Sequence, residues 1–188
     1  MAHRFNPKRV EKLESPERMK MLPLDEIFSD FPLHEQDVVA DMGAGAGYFT
    51  LPLSNRVQKV LAVDIEPEML DYLADKLERA GVENVQLVQS DMEQTPLPDE
   101  GCDKLIASLV MHELESVESG AREFYRVLKP GGWALIIDWK KEPMEEGPPV
   151  EHRIDAKNVR QVMTAQGFVQ EKERELKFFY LLVFRKPH

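Results

Sequence analysis

Short apolar runs alternate with amphipathic segments along most of the chain. The apolar runs predict five buried β-strands, at Val38–Met42, Lys59–Asp64, Asn84–Gln89, Lys104–Val110 and Trp133–Asp138. The segments between them repeat apolar residues every three or four positions, which is typical of a helix that buries one face. Strands that alternate with helices predict an α/β domain with a mainly parallel sheet, covered by helices on both faces.

Proline and glycine residues mark the ends of several predicted elements. One helix begins at Pro67 and stops at Gly81, because proline suits the first helical turn and glycine the residue after the last. The other predicted helices are Tyr48–Arg56, Glu118–Leu128 and Asp155–Gln166. A proline-rich segment, Lys140–Val150, is predicted to be a mobile surface loop. Two strand-like runs then form a C-terminal antiparallel hairpin, at Phe168–Leu176 and Phe178–Arg185.

Composition narrows the class of protein. The 188 residues predict a single domain, 1–188, with a helical arm or lid at 1–37 and a core at 38–188. A formal net charge of −10 disfavours nucleic-acid binding, although residues 1–20 carry six basic and three acidic side chains. The single cysteine, Cys102, excludes an internal disulfide and a multi-thiolate zinc site, and no metal site is expected. With no apolar span and no secretory signal, we expect a cytoplasmic protein.

A glycine-rich turn follows the first predicted strand. Gly43, Gly45 and Gly47 stand at alternate positions, where the chain turns sharply and can approach a ligand closely. The turn departs from the dinucleotide pattern, because Tyr48 stands where a small residue is needed. It also lacks the lysine of a phosphate loop. Asp41 precedes the glycines, and a carboxylate there suits a cation better than a pyrophosphate.

Two more acids stand at the ends of the next two strands. Asp64 lies about 20 residues after Gly43, a spacing typical of a carboxylate that accepts hydrogen bonds from ribose hydroxyls. Asp91 follows the third strand and would suit a donor such as an adenine amino group. Taken singly, Asp64 and Asp91 are better interpreted as helix caps or loop acids. As a set they favour a ligand with nucleoside hydroxyls, an amine and positive charge, and S-adenosylmethionine has all three.

Four segments then carry a resemblance to a known family. VVADMGAGAGYFT, VLAVDIEPEML, VQSDMEQTPLPDEGCDKL and FYRVLKPGGWALIID stand in family order between residues 38 and 138. The chain resembles the class I S-adenosylmethionine-dependent methyltransferases, particularly the small-molecule branch that includes the ubiquinone/menaquinone C-methyltransferases. The resemblance implies a Rossmann-like, seven-stranded sheet whose last strand runs antiparallel.

The resemblance also implies the residues that contact the cofactor. Asp41, Gly43 and Gly45 would line its methionine moiety; Asp64 would hold the ribose, and Ile65 would pack on the adenine. Asp91 would accept from the adenine amino group, while the Met92 backbone N–H meets a ring nitrogen. The segment Ser108–Met111 would pass beside the sulfonium, and Arg4 or Phe5 would fold over the cofactor as a lid. The implied contact set is Asp41, Gly43, Ala44, Gly45, Asp64, Ile65, Asp91, Met92 and Leu109.

The sequence is less informative about the methyl acceptor. A sulfonium methyl is already electrophilic, so a general base is needed only if the acceptor must lose a proton. His112 has two interpretations, a base for the acceptor or a structural residue paired with Glu113, and the structural one is favoured. Tyr48 and Trp139 either line an acceptor pocket or pack in the core. Met42 and Met69 are assigned to packing.

Three functional classes remain open. The leading one is an enzyme that moves a methyl group to O, N or C of a small molecule by in-line displacement. The alternatives are a non-catalytic protein that binds S-adenosylmethionine or S-adenosylhomocysteine, and a nicotinamide oxidoreductase on a related sheet. The sequence leaves the acceptor and the oligomeric state open.

Overall fold

The computed structural model describes residues 20–188, and a seven-stranded sheet lies at its centre. The strands are β1 (Val38–Met42), β2 (Lys59–Asp64), β3 (Val85–Gln89), β4 (Cys102–Ser108), β5 (Leu128–Trp139), β6 (Val169–Glu175) and β7 (Phe179–Arg185). Their order across the sheet is β3-β2-β1-β4-β5-β7-β6. Strands β1 to β5 are parallel, and β7 runs antiparallel to both β5 and β6. This confirms the predicted sheet and its C-terminal antiparallel hairpin.

Five α-helices in the described part of the chain cover the sheet. They are α1 (Leu24–Asp30), α2 (Thr50–Ser54), α3 (Pro67–Ala80), α4 (Val117–Val127) and α5 (Ala156–Gln166). Short 3₁₀ turns span Met111–Glu113 and Val150–His152. As predicted, α3 begins at Pro67 and ends at Gly81, which has a left-handed φ of 65°. Because Cβ atoms alternate across a strand, one sheet face packs against α4 and α5 and the other against α1, α2 and α3.

Most element boundaries differ from the predictions by one or two residues, and two differences have a structural reason. Strand β4 ends at Ser108 rather than Val110, because Leu109 adopts a left-handed φ of 59° that no strand continues. Strand β5 starts at Leu128 rather than Trp133. The intervening Lys-Pro-Gly-Gly segment forms an irregular first part of the strand and not a separate turn. The turn that begins at Leu109 forms part of the wall of the cleft described below.

The loop after β5 is anchored by one buried arginine. Arg153 is 3% exposed and donates to the backbone carbonyls of Lys140, Glu142, Glu146 and Pro148. The loop lies on the surface as predicted, and these bonds to buried Arg153 tie it to the body of the domain.

The predicted arm is described only from residue 20 onward. There, α1 buries Ile27 and Phe28 against the sheet face that carries Val39. Arg4 and Phe5, the predicted lid residues, lie outside the described residues. Within residues 20–188, no helix has the length and apolar character needed to cross a membrane.

Candidate functional site

The glycine turn after β1 brings the backbone close to the segment after β4. Gly43, Gly45 and Gly47 all have positive φ, at 73°, 51° and 81°. The N–H of Gly43 donates to the Val63 carbonyl at 2.8 Å, which ties the turn to the end of β2. A Cβ at Gly43 would stand 2.4 Å from Cγ1 of Val110, closer than packed atoms come. Glycine is therefore required at this position for both conformation and space.

Asp41 is a buried carboxylate at the end of β1. It is 2% exposed, and its Oδ2 accepts a 2.6 Å hydrogen bond from the Thr50 hydroxyl. Burial raises the pKa of Asp41 from 3.8 to about 6; the Thr50 bond lowers it, and the neighbouring Asp64 raises it further. The charged form is therefore held at a cost that a nearby cation would offset.

Asp64 joins the glycine turn to the end of β2. Its Oδ2 accepts from the Gly45 N–H at 2.7 Å and its Oδ1 from the Glu66 N–H at 3.0 Å. Burial raises its pKa above 3.8, although these backbone donors oppose the shift. An ionised carboxylate offers about four lone-pair sites, so the two bonds leave capacity for ligand hydroxyls.

These residues surround a cleft at the carboxyl ends of β1, β2 and β4, which we call the strand-end cleft. Its empty volume is about 920 Å³ including the open mouth. Open α/β sheets bind ligands at this edge. The cleft is lined by every predicted cofactor residue except Asp91, namely Asp41, Gly43, Ala44, Gly45, Asp64, Ile65, Met92 and Leu109.

Asp91 lies beside the strand-end cleft, in a smaller adjoining pocket that shares Ile65 and Met92 with it. Its Oδ1 accepts from the Glu93 N–H at 2.9 Å, so the side chain also supports its own turn. The structural and binding interpretations of Asp91 are compatible, because a carboxylate has a second oxygen that can accept hydrogen bonds.

His112 is held by Asp138 at the end of β5 and does not line the strand-end cleft. The imidazole Nδ1 lies 2.7 Å from Asp138 Oδ1, and the His112 backbone N–H donates to Asp138 Oδ2 at 3.1 Å. Its Nε2 lies 3.9 Å from an oxygen of Glu113, the partner expected from the sequence. The main partner is Asp138, which the sequence analysis did not identify.

Several further residues line the strand-end cleft. Tyr48 does so as one interpretation proposed, and its hydroxyl donates to the Leu22 carbonyl at 2.6 Å. Met69 was assigned to packing, and it is buried yet also part of the cleft wall. Glu66 and Glu113 were missed, although each lies within two residues of a predicted site residue. Trp139 is absent from the cleft wall; it packs on Phe179 in the core, with ring centroids 4.6 Å apart.

The charged side chains in the described lining of the strand-end cleft are all acidic. Its described lining includes the carboxylates of Asp41, Asp64, Glu66 and Glu113, and no lysine, arginine or histidine. A cleft with low-dielectric walls and one sign of charge concentrates ligands of the opposite sign. The arrangement suits a ligand that combines hydroxyl groups with positive charge and disfavours a pyrophosphate.

Comparisons with known proteins agree with this chemistry. Residues 40–136 match the model of a family described as a methyltransferase domain, slightly more than half of the chain. The structure is similar to that of a SAM-dependent methyltransferase from Aquifex aeolicus, with a TM-score of 0.90 and 30% sequence identity, covering 97% of this chain and 99% of that one.

Two curated relatives are similar over part of their length. YcgJ, an uncharacterized methyltransferase of Bacillus subtilis, is 37% identical over 100 residues, 53% of this chain and 40% of that protein. The ubiquinone/menaquinone biosynthesis C-methyltransferase UbiE of Escherichia fergusonii is 35% identical over 122 residues, 63% of this chain and 47% of that protein. The chain thus spans less than half the length of either. The family model, the Aquifex structure and the acidic strand-end cleft lead to one assignment: the chain belongs to the class I S-adenosylmethionine-dependent methyltransferases.

Proposed function

We propose that the chain transfers a methyl group from S-adenosylmethionine to a small organic acceptor by in-line displacement. One observation carries the proposal: the strand-end cleft combines a glycine turn, which leaves room for a ligand, with buried Asp41 and partly buried Asp64. S-adenosylmethionine carries an ammonium and a sulfonium for the carboxylates and ribose hydroxyls for Asp64. The fit is one of charge and hydrogen-bonding capacity.

Each element of the strand-end cleft has a proposed part. Asp41, with the turn Gly43-Ala44-Gly45, would hold the methionine moiety, and Asp64 would accept from the ribose. Ile65 and Met92 would enclose the adenine, with Asp91 accepting from its amino group. Leu109 would lie beside the sulfonium.

The bound cofactor supplies an electrophilic methyl group, so the protein needs no covalent nucleophile. Its own task is to hold the acceptor in line and to exclude water; positioning of this kind can lower a barrier by up to about 7–11 kcal/mol. We further propose that the acceptor is a small molecule and that the protein works in the cytoplasm. The second point rests on its single cysteine, Cys102, which is buried and unpaired.

Calorimetry with S-adenosylhomocysteine tests the site. Asp64→Ala should weaken binding about 10- to 100-fold, because a charged acceptor of ligand hydrogen bonds is lost. Asp75→Ala is the matched control, since Asp75 is an exposed acid on α3 away from the strand-end cleft. Thermal melting shows whether each variant is folded. Equal affinity of a folded Asp64→Ala variant and the wild type would overturn the assignment.

A second assay separates catalysis from binding alone. Wild-type protein is incubated with methyl-labelled S-adenosylmethionine and a broad metabolite set, and the label is followed into products. Transfer supports an enzyme. Tight cofactor binding with no labelled product from any acceptor would favour a non-catalytic binding protein.

A further inference from the structure

A hydrogen bond joins the two residues that flank the glycine turn. Asp41 lies at the end of β1, before the turn, and Thr50 is the first residue of α2, after it. The Thr50 hydroxyl donates to Asp41 Oδ2 at 2.6 Å, and the backbone of Thr50 adds a second hydrogen bond. The residues between them, 42–49, lie in the loop that these bonds close. Thr50 therefore acts on both the carboxylate and the turn that line the strand-end cleft.

Thr50 does not line the cleft itself. It is completely buried, and it is not among the residues of the cleft wall. A Cβ at Gly47 would lie 3.7 Å from the Cβ of Thr50, an ordinary contact distance, so the turn packs directly on this residue. A buried hydroxyl needs a hydrogen-bond partner, and Asp41 is that partner. An influence of Thr50 on a ligand must therefore pass through Asp41 or the turn.

The charges in the cleft lining oppose the ionisation of Asp41. Asp64 stands at the end of the neighbouring strand β2, and Glu66 and Glu113 line the same cleft. Of these charges, that of Asp64 raises the pKa of Asp41. Lys76 of α3 donates to a carbonyl of the glycine turn at 2.8 Å but does not line the cleft. The described side chains that line the cleft thus supply no positive charge to Asp41.

The two Thr50 bonds act in the opposite direction. The pKa of Asp41 is raised from 3.8 to about 6, because burial and, less strongly, the charge of Asp64 outweigh the lowering effect of these bonds. Without the hydroxyl bond the pKa of Asp41 would be higher still. An ionised carboxylate has about four lone-pair sites, so the two bonds leave about two for a cationic ligand. They also fix the orientation of the carboxylate before the ligand arrives.

We propose that Thr50 is a positioning residue of the cofactor site, which holds the Asp41 carboxylate ionised and in a fixed orientation for the ammonium of S-adenosylmethionine. This inference rests on the proposed methyltransferase function. Because a cation binds the ionised form of Asp41, cofactor affinity should fall as the pH falls through about 6. Loss of the Thr50 hydroxyl should move this fall to a higher pH.

Paired substitutions separate this role from a general structural one. Thr50→Val keeps the shape of the side chain but removes the hydroxyl, whereas Thr50→Ser retains it. Thr50→Ala removes the same hydroxyl and replaces Thr50→Val if the latter does not fold, as judged by thermal melting. Thr95→Val is the matched control. The Thr95 hydroxyl also donates to a buried carboxylate, that of Glu123, at the same distance of 2.6 Å, and neither residue lines the cleft.

Calorimetry with S-adenosylhomocysteine, which keeps the ammonium, is carried out between about pH 5.5 and 8.5. Each variant is compared with the wild type at the same pH, so that the titration of the ligand cancels. A hydrogen bond to a charged group corresponds to about one pKa unit or more, so Thr50→Val should bind about tenfold more weakly at pH 6 and within about threefold of wild type at pH 8.5. Thr50→Ser and Thr95→Val should match the wild type at every pH. A folded Thr50→Val variant whose affinity ratio to wild type is the same at both pH values would overturn the inference.

Two further measurements address Asp41 directly. In an Asp41→Asn protein, Thr50→Val should no longer change the pH dependence of affinity, because the titrating partner is gone. Carbon NMR of the Asp41 carboxyl group should show a midpoint near pH 6 in the unliganded wild type, and one about one unit higher or more in Thr50→Val. Equal midpoints in the two proteins would refute the role of Thr50. Failure of S-adenosylhomocysteine to bind the wild type at any pH would instead refute the proposed function, so the two failures are distinguishable.

Discussion

Asp41→Asn is predicted to make the unliganded protein more stable while it weakens cofactor binding. Asp41 is buried at the end of β1, and burial raises its pKa from 3.8 to about 6. The asparagine oxygen can still accept the hydrogen bond that the Thr50 hydroxyl gives to Asp41. The substitution therefore removes the cost of a buried charge without removing its partner.

The size of the effect follows from the pKa. Because the folded state holds the Asp41 proton more tightly than the unfolded state, the wild type loses stability as pH rises from about 4 to about 6. Each pKa unit corresponds to about 1.4 kcal/mol, so the shift of about 2 units costs about 3 kcal/mol above that range. Asparagine does not titrate. Relative to wild type, Asp41→Asn should gain about 3 kcal/mol at pH 8, roughly half of that at pH 5, and almost nothing well below pH 3.8.

Urea unfolding of both proteins at a series of pH values measures this difference. Subtracting the wild-type free energy removes the contributions of the other acids, and Asp75→Asn on the exposed face of α3 is the control with no expected pH-dependent gain. Calorimetry on the same samples should show weaker S-adenosylmethionine binding by Asp41→Asn. A variant less stable than wild type at pH 8, or a difference that does not grow with pH, would refute the reasoning.

Three further substitutions test how the site is supported. Gly43→Ala should destabilise the protein by about 1–3 kcal/mol in thermal unfolding, because its Cβ would clash with Val110. Gly81→Ala is the control: Gly81 has a similar φ and no atom within 4 Å of its Cβ, so the substitution should cost less. Equal losses would contradict the clash at Gly43. Glu123→Gln should cost about 1–3 kcal/mol in urea unfolding. Its amide oxygen can keep the two bonds from Thr95, but its NH₂ group cannot accept the 2.9 Å bond that Arg126 Nε gives to Glu123, and the ion pair with Arg126 is lost; unchanged stability would contradict this support. Lys186→Met should also lower the free energy of unfolding by about 1–3 kcal/mol in thermal unfolding. The buried Lys186 ammonium donates to the carbonyls of Tyr125 and Leu128 at the end of α4. A neutral effect would show that these carbonyls find other donors.

The residues that line the strand-end cleft were predictable because their signals are local. The turn Gly43–Gly47 and the acids Asp41 and Asp64 each follow a buried apolar run, and parallel strands bring their carboxyl ends to one edge. Periodicity placed β2 at its observed bounds, and Pro67 and Gly81 bounded α3. No knowledge of distant contacts was needed for these assignments.

The partner of His112 was not predictable by the same means. Asp138 is 26 residues away in the chain, and the contact depends on how β4 and β5 align, with Ser108 opposite Ile137. It also depends on the left-handed turn at Leu109, a conformation that a leucine side chain does not signal. The sequence therefore supplied only the neighbouring Glu113 as a candidate partner.

The buried acids of the strand-end cleft make sense only in terms of a cationic ligand. Burial raises the pKa of both Asp41 and Asp64; the charge of Asp64 also raises the pKa of Asp41, and that of Glu66 the pKa of Asp64, so the unliganded cleft opposes its own ionisation. No described lining residue supplies a compensating positive charge. A bound sulfonium and ammonium would supply that positive charge. The folded protein retains the energetic cost of the buried carboxylates because their charges make the cleft selective for a cationic ligand. A pyrophosphate cofactor would add to the repulsion instead, which is the physical reason that the nicotinamide alternative does not fit this cleft.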